Sequence, residues 1–332
     1  MSKILVTGGA GYVGSHFVKR AVEQGNEVVV VDNLSTGHAR AVPEGVEFYE
    51  VDVRDKAEIA KILRETGAEA IVHFAASSIV AESMEQPLEY FDNNVYGMSC
   101  LLGAMRETGV AKIVFSSSAA VYGNPEKVPI EEDDPKEPIN VYGDSKLMME
   151  RMMKWADAAY GIRGVALRYF NVAGADESGE IGECHDPETH LVPNVLLAAL
   201  GKKDKITLFG DDYATKDGFA VRDYVHPTDL ADAHLLALQW LDGGKSGEFN
   251  LGSMSGFSVK EIVDAAEGVV GRAIPQEIGL RRAGDPDVLV ADSRRAREVL
   301  GWEPKFDNIH TIIASAWKWM ESHPEGFAAT AS

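Results

Sequence analysis

Three side chains in this sequence have the types and spacing for proton transfer. Tyr142 and Lys146 lie four positions apart in "NVYGDSK", where a run of helix-forming residues begins. A helix there puts phenol and ammonium on one face. A phenol with an ordinary pKa of about 10 is a weak base at neutral pH, and an adjacent ammonium stabilises its phenolate and draws that value toward neutrality. Ser118 closes the apolar run "KIVFSSS", and a hydroxyl at a strand end can hold or relay the same proton. Tyr-x-x-x-Lys alone is common by chance, so the rest of the chain has to support it.

The elements that must position these groups alternate. "KILVTGG", "EVVVVDN", "VEFYEVDV", "EAIVHFAA", "KIVFSSS" and "GVALRYFN" read as short buried strands. Between them run helical patterns from Tyr12 to Glu23, from Asp55 to Glu65, from about Pro87 to Thr108, and from Tyr142 onward. Apolar strands separated by helices predict a parallel sheet covered on both faces, and crossover handedness makes it doubly wound and Rossmann-like, an α/β fold. Beyond Asn171 the texture changes. "VAGADESGEIGECHDPETH" reads as a loop or small lobe, and "KITLFGDDY", "RDYVHPTDLADAHLLALQWL", "GEFNLGS" and a helix from Val259 to Val270 mix strand and helix without regular alternation. The expectation is a nucleotide-binding domain over residues 1–172, with interleaved returns near 222–250, and a smaller mixed α/β substrate region over 173–332.

A formal net charge of −20 argues against a nucleic acid as partner, since polyanion binding needs a basic surface. No stretch reaches the eighteen or so apolar residues of a membrane span, and the N-terminus runs straight into a strand, so a cytoplasmic protein is expected. Two cysteines make no disulfide framework, and Cys100 reads as core. The terminal "GFAATAS" is expected to fray.

Gly8, Gly11 and Gly14 in "VTGGAGYVGSH" stand between the first strand and the first helix. The first glycine allows the tight turn, the second lets backbone approach a pyrophosphate, and the third lets helix pack on strand; the helix N-terminus binds the anion. Asp32 ends the second strand, 18 residues after Gly14, where a carboxylate accepts hydrogen bonds from a ribose diol and repels a 2′-phosphate. NAD is thus favoured over NADP. Asp52, after the third strand, either reaches the adenine edge or caps the following helix.

These features together resemble the extended short-chain dehydrogenase/reductase family. "RYFNVAGA", "LFGDDY", "VRDYVHPTDLADAH", "NLGS" and "RRAGDPDVLVAD" are similar to its UDP-glucose 4-epimerase branch, in that branch's order and over nearly the whole chain. The resemblance implies that Tyr142 takes the proton of a hexose 4-hydroxyl while NAD, bound as a prosthetic group, takes hydride from C4, and that the 4-keto sugar then receives it on the other face. It implies cofactor contacts at Tyr12, Val13, Asp32, Asn33, Leu34, Ser35, Thr36, Gly37, Asp52, Val53, Phe74, Ala75, Ala76, Ser78, Asn93, Tyr142, Lys146 and Phe170, besides the glycines and Ser118. Val13, Val53 and Phe74 also fit a core, and Asn93 a satisfied buried amide. Ser78 stands where some members carry a phosphate-neutralising lysine.

For a UDP-sugar, the resemblance implies Asn171, His190, Leu191, Thr207, Leu208, Phe209, Arg222, Arg282, Asp285 and Leu289. The two arginines offer the paired donors a diphosphate needs; an ion pair between regions is their plain alternative. His190 stands where some members have asparagine. Sugar dehydratases and decarboxylases of this fold need an acid after the catalytic serine or threonine, and Ala119 and Ala120 stand there. Leu289 is intermediate in size between the residues of members restricted to unacetylated sugars and those that accept N-acetyl sugars. UDP-galactose and UDP-glucose are the expected substrates, with UDP-N-acetylhexosamines, UDP-uronates and UDP-pentoses left open. A non-catalytic NAD-binding sensor is the reading from another class. Cys184, His185 and His190 lack a fourth ligand, so no metal is expected. The family dimerises through the helices containing "KLMMERMMKWADAAYG" and residues 87–108, which implies a homodimer.

Overall fold

Runs of valine, isoleucine and leucine form the strands their composition predicts, and their alternate residues feed two cores. In the computed structural model, which describes residues 2–282 and 285–327, the expected fraying of "GFAATAS" falls, from residue 328, outside the described residues. The strands are β1 (Lys3–Thr7), β2 (Glu27–Asp32), β3 (Glu47–Glu50), β4 (Ala70–His73), β5 (Lys112–Ser118), β6 (Arg163–Tyr169), β7 (Asn171–Val172), β8 (Ile206–Phe209), β9 (Val221–Arg222), β10 (Tyr224–Val225), β11 (Gly247–Leu251), β12 (Phe257–Ser258), β13 (Gln276–Gly279) and β14 (Val288–Leu289). The helices are α1 (Tyr12–Glu23), α2 (Lys56–Thr66), α3 (Val80–Glu85), α4 (Pro87–Tyr90), α5 (Gly97–Thr108), α6 (Val141–Tyr160), α7 (Leu191–Ala199), α8 (Pro227–Asp242), α9 (Val259–Val270), α10 (Arg294–Leu300) and α11 (Ile309–Ser322).

Seven parallel strands make the central sheet in the order β3-β2-β1-β4-β5-β6-β11. This is the doubly wound arrangement, with its reversal of strand order between β1 and β4. Ile4 and Val6 of β1 face Phe17 and Leu230 of α1 and α8, while Leu5 faces Ile59, Leu101 and Met149 of α2, α5 and α6. The late strand β11 pairs with β6, register Leu251 to Tyr169, so the chain returns to the first sheet after leaving it. A separate core joins α7, α9 and α11 to β8. Between Val172 and Leu191 there is no helix or strand, as the polar, glycine-rich composition predicts.

The helical pattern expected from Pro87 to Thr108 is interrupted. Residues Phe91–Tyr96 form a π-helical turn between α4 and α5, a wider turn that re-aims side chains and often occurs at functional sites. It sets Asn93 and Asn94 against the segment that follows β4.

Burial keeps four histidines neutral. His16 and His234 are held down to about 4, and His73 and His226 to about 3, each chiefly by desolvation. In the unfolded chain the same groups bind protons below about 6.5. Between these values the unfolded state carries more protons, so stability falls as pH falls. From pH 6.5 to 5 each contributes a loss of about 2 kcal/mol. Asp32, Asp223 and Asp229, whose pKa burial raises, offset part of it. The urea midpoint is expected to be clearly lower at pH 5 than at pH 7; an equal or higher midpoint contradicts neutral burial of these histidines.

Candidate active site

The glycine turn lies at the carboxyl end of β1, beside the strand-order reversal. Gly8 has φ +75° and donates its N–H to the Val31 carbonyl at 2.8 Å. A Cβ on Gly14 would strike the Gly8 carbonyl. Gly11 differs, since a Cβ there would meet only the Gly8 oxygen, at 3.4 Å, an ordinary contact. Internal packing therefore does not demand glycine at 11, and the turn is open there to close approach from outside. Gly11 caps α1 without a side-chain acceptor, which leaves the first N–H groups of the helix available to an anion. Asp32 is 6 % exposed and accepts from the backbone N–H of Ala10 at 3.0 Å and of Leu34 at 2.8 Å. Its carboxylate braces the turn and keeps lone pairs for a diol. Leu34 takes a positive φ of 56° to make that bend.

Asp52 is not a helix cap. Asp55 caps α2, accepting from Glu58 N–H at 3.1 Å. Asp52 instead accepts from Arg54 and from Asn33 Nδ2 at 3.0 Å, and the Arg54 guanidinium holds its carboxyl far below the usual range. Beyond β4, Ser77 N–H donates to Asn94 Oδ1 at 2.8 Å, and Asn93 Nδ2 donates to Ser77 Oγ at 3.2 Å. The fully buried, satisfied amide is Asn94, while Asn93 keeps partial exposure. Val53 is core, and Val13 and Phe74 pack on the core's edge. Gly11, Tyr12 and Thr36 line one cavity, whereas Ser78 is exposed.

The start of α6 is built to deliver Tyr142. Asn140 caps it by accepting from Gly143 N–H at 2.8 Å, and Ser83, fully buried on α3, accepts from Tyr142 N–H at 3.2 Å. A Cβ on Gly143 would come within 2.9 Å of the Ala120 carbonyl carbon. Glycine thus lets α6 dock on the turn after Ser118. Lys146 is 3 % exposed and donates to the Ser116 carbonyl at 2.8 Å, with its Nζ 4.9 Å from the Phe115 ring centre and 5.8 Å from that of Tyr142. Burial lowers the ammonium to about 7, with Glu150 opposing. Burial also raises the Tyr142 pKa, against the Ser118 hydroxyl. The expected pull toward neutrality belongs to the Lys146 ammonium acting together with the positive nicotinamide ring of a bound cofactor, charges opposite to that of the phenolate.

Phe170 and Leu289 pack together on a small core of Val121, Tyr122, Ile130 and Leu147, next to the turn after Ser118. Leu289 pairs in register with Arg222. Arg222 forms a 2.6 Å ion pair with Asp285, and Arg282 stacks over Phe209 at 4.1 Å. The ion-pair alternative for Arg222 is therefore what the structure contains, while Arg282 has no carboxylate partner among the described residues. Leu208 is 2 % exposed, so its side chain is core; Thr207 donates to Glu277 at 3.1 Å and Asn171 is exposed. Arg281, over Tyr213 at 3.9 Å, was not singled out by sequence, although it adjoins Arg282. His190 and Leu191 open α7. Of Cys184, His185 and His190, the two histidines gather with Glu183 and Glu188, so that four potential donor atoms lie within 4.8 Å of one another. Cys184 lies outside that group, its carbonyl accepting from His38 Nε2 at 3.0 Å.

A model of the NAD dependent epimerase/dehydratase family matches residues 4–252. The chain belongs to this family. It is 59 % identical over 327 residues to the UDP-glucose 4-epimerase of Streptococcus mutans, covering 98 % of each chain. A solved UDP-glucose 4-epimerase superposes with a TM-score of 0.97 at 52 % identity, over 99 % of this chain and 100 % of the other. That of Bifidobacterium longum, in complex with NAD+ and UDP, gives 0.94 at 38 % identity over 98 % and 100 %.

Proposed function

We propose that this chain interconverts UDP-galactose and UDP-glucose at C4 through a 4-keto sugar, with NAD held as a redox group and Tyr142 as the base. The observation that carries this reading is the convergence of Tyr142, Lys146 and Ser118 at the carboxyl end of β5, beside a glycine turn fitted to a pyrophosphate. Ligands of doubly wound sheets bind at that edge. Residues 1–172, with the return through β10, α8 and β11, hold the cofactor, and the remainder of 173–332 presents the sugar nucleotide.

When bound, NAD supplies a reversible hydride acceptor and a positive ring. Gly8, Gly11, Tyr12, Val13 and Gly14 cradle the pyrophosphate, Asp32 takes the ribose diol, and the segments at 33–37, 52–53, 74–78 and 93 flank the rest. Tyr142 removes the proton from the sugar 4-oxygen and later returns it. Ser118 would hold that oxygen, and Lys146, together with the positive ring of the bound cofactor, would supply the charge that favours the phenolate before it takes the proton. Arg282 and Arg222, the latter braced by Asp285, meet the diphosphate; Thr207 to Phe209 flank the nucleoside; and Asn171, His190, Leu191 and Leu289 border the sugar.

The purified protein, mixed with UDP-galactose without added cofactor and followed by NMR of the anomeric protons, is expected to produce UDP-glucose to an equilibrium mixture. UDP-N-acetylgalactosamine in a parallel tube reads the role of Leu289, a contact that decides about 1–3 kcal/mol. No conversion of UDP-galactose, even with NAD supplied, overturns the assignment.

The same reading includes a cytoplasmic homodimer. In its support, no helix of the described residues is long and apolar enough to cross a membrane. Met84, Leu88, Tyr96, Trp155 and Tyr160 are large, apolar and more than half exposed on the adjacent helical segments from α3 to α6, apolar surface that a second copy would cover. Sedimentation velocity at micromolar concentration is expected to give twice the chain mass; a monomer excludes the pairing.

A further inference from the structure

We propose that Glu183, His185, Glu188 and His190 form a binding site for a divalent transition-metal cation of the zinc class. These residues fall within the short stretch "ECHDPETH", and the loop before α7 folds so that one donor atom from each lies within 4.8 Å of all the others. His190 Nδ1 is 2.5 Å and His185 Nδ1 3.2 Å from Glu183 Oε1, and each imidazole is 3.6 Å from a Glu188 oxygen. Four donors at about 2.0–2.1 Å around one tetrahedral ion sit roughly 3.3 Å from each other. The observed spacings bracket that value.

The donor chemistry narrows the ion. Two imidazoles with two carboxylates suit zinc and its first-row neighbours; magnesium and calcium prefer all-oxygen sites. Both carboxylates are buried, with side chains 6 % and 8 % exposed, and among the described residues neither pairs with a lysine or arginine. Glu188 Oε1 accepts from the backbone N–H groups of Thr189 and His190, each at 2.8 Å, which leaves Oε2 facing His185; a buried pair of carboxylates without a fixed cation remains costly. His185 Nδ1 is itself buried and makes no hydrogen bond despite facing both acids. An imidazole nitrogen set between two carboxylates can serve as an N–H donor or, once that proton is displaced, as a metal ligand, and its poor alignment for the first role favours the second. The alternative satisfaction of the cluster, two imidazolium ions neutralising two carboxylates, leaves that nitrogen poorly aligned.

The site would act as a clamp rather than as a participant in proton transfer. His185 packs edge-on to Tyr12 of the glycine turn at 6.1 Å, and the Tyr12 hydroxyl donates to the Gly174 carbonyl at 2.6 Å. A cation there would fix the loop that precedes α7 upon itself and so hold the His185 ring in its packing against Tyr12. Of the four ligands only His190 is also set beside the sugar above, and the metal site needs no other part of that reading.

The test is metal content and affinity of the full chain. After chelator treatment and dialysis, titration with zinc sulfate at pH 7.5 followed by calorimetry, with elemental analysis of the dialysed product, is expected to show one equivalent per chain. His185→Ala and Glu188→Gln should each weaken zinc at least tenfold, and Cys184→Ser should leave the stoichiometry at one. Zinc-edge X-ray absorption on the loaded wild type, which does not depend on any variant folding, should show only nitrogen and oxygen neighbours at about 2.0–2.1 Å. A sulfur shell, failure to bind one equivalent, or binding that both loop variants retain unchanged each overturns the proposal.

Discussion

Replacing Tyr142 with phenylalanine is expected to lower turnover of UDP-galactose by about 10²- to 10⁴-fold, the usual range for a positioned general base, while the protein keeps its fold and its NAD. The separation is expected because the two jobs of this residue reside in different atoms. Its backbone N–H is engaged by Ser83 and its carbonyl accepts from Ser145, so the main chain and the start of α6 are held without the hydroxyl. The hydroxyl's one identified influence is Ser118, a candidate partner in chemistry rather than a packing contact. Initial rates from a coupled assay, with NAD released by acid and quantified, distinguish the outcomes. A rate within a few-fold of wild type removes Tyr142 from the role of base and revives the NAD-sensor reading; loss of NAD together with rate shows that the ring binds the cofactor.

That result also bears on what could be read from sequence. The tyrosine-lysine spacing, the glycine turn and Asp32 were legible because each depends on local geometry: helix periodicity, a strand-to-helix turn, a strand end. The surroundings of Lys146 were not, because the Ser116 carbonyl and the Phe115 ring reach it from a neighbouring strand through sheet topology. Nor was the burial of Tyr142, which raises its pKa against the Ser118 hydroxyl. Cys184 and His185 drew notice as metal-ligand types, but the loop's turn brings Glu183 and Glu188 to the histidines instead, and acids in a polar stretch read as ordinary surface. The helices α7 and α11 went unread, since "LVPNVLLAA" carries a proline in its first turn and almost no polar face, and their packing partners lie far away in sequence. The π-turn at 91–96 has no strong compositional signature, so an apparently continuous helix concealed the segment that orients Asn93.

Deep under the same site, removal of a single acid is expected to have the largest effect on stability. Glu150 lies one helical turn beyond Lys146 and forms a bidentate pair with Arg168, at 2.9 and 2.7 Å, with the arginine 2 % exposed. Arg168 also donates to the Tyr122 hydroxyl at 2.9 Å and the Glu132 carbonyl at 3.2 Å, and Ser117 donates to Glu150 at 2.5 Å. Glu150→Ala leaves a guanidinium in the interior without its counter-charge and Ser117 without its acceptor, which costs about 3–5 kcal/mol. Replacing both partners with apolar residues, Glu150→Leu with Arg168→Met, removes charge and counter-charge together and is expected to cost much less than the sum of the two single changes. Urea unfolding of Glu150→Ala and of the four proteins in that cycle decides it. If Glu150→Ala loses less than about 1 kcal/mol, water or a rearranged Glu132 compensates the arginine and the network is not a closed one. The functional corollary runs through Lys146: Glu150 is the acid that opposes its desolvation, so without it the ammonium gives up its proton at lower pH. The variant that survives folding should therefore show the alkaline fall of its pH–rate profile moved toward lower pH, a displacement that loss of packing alone does not produce.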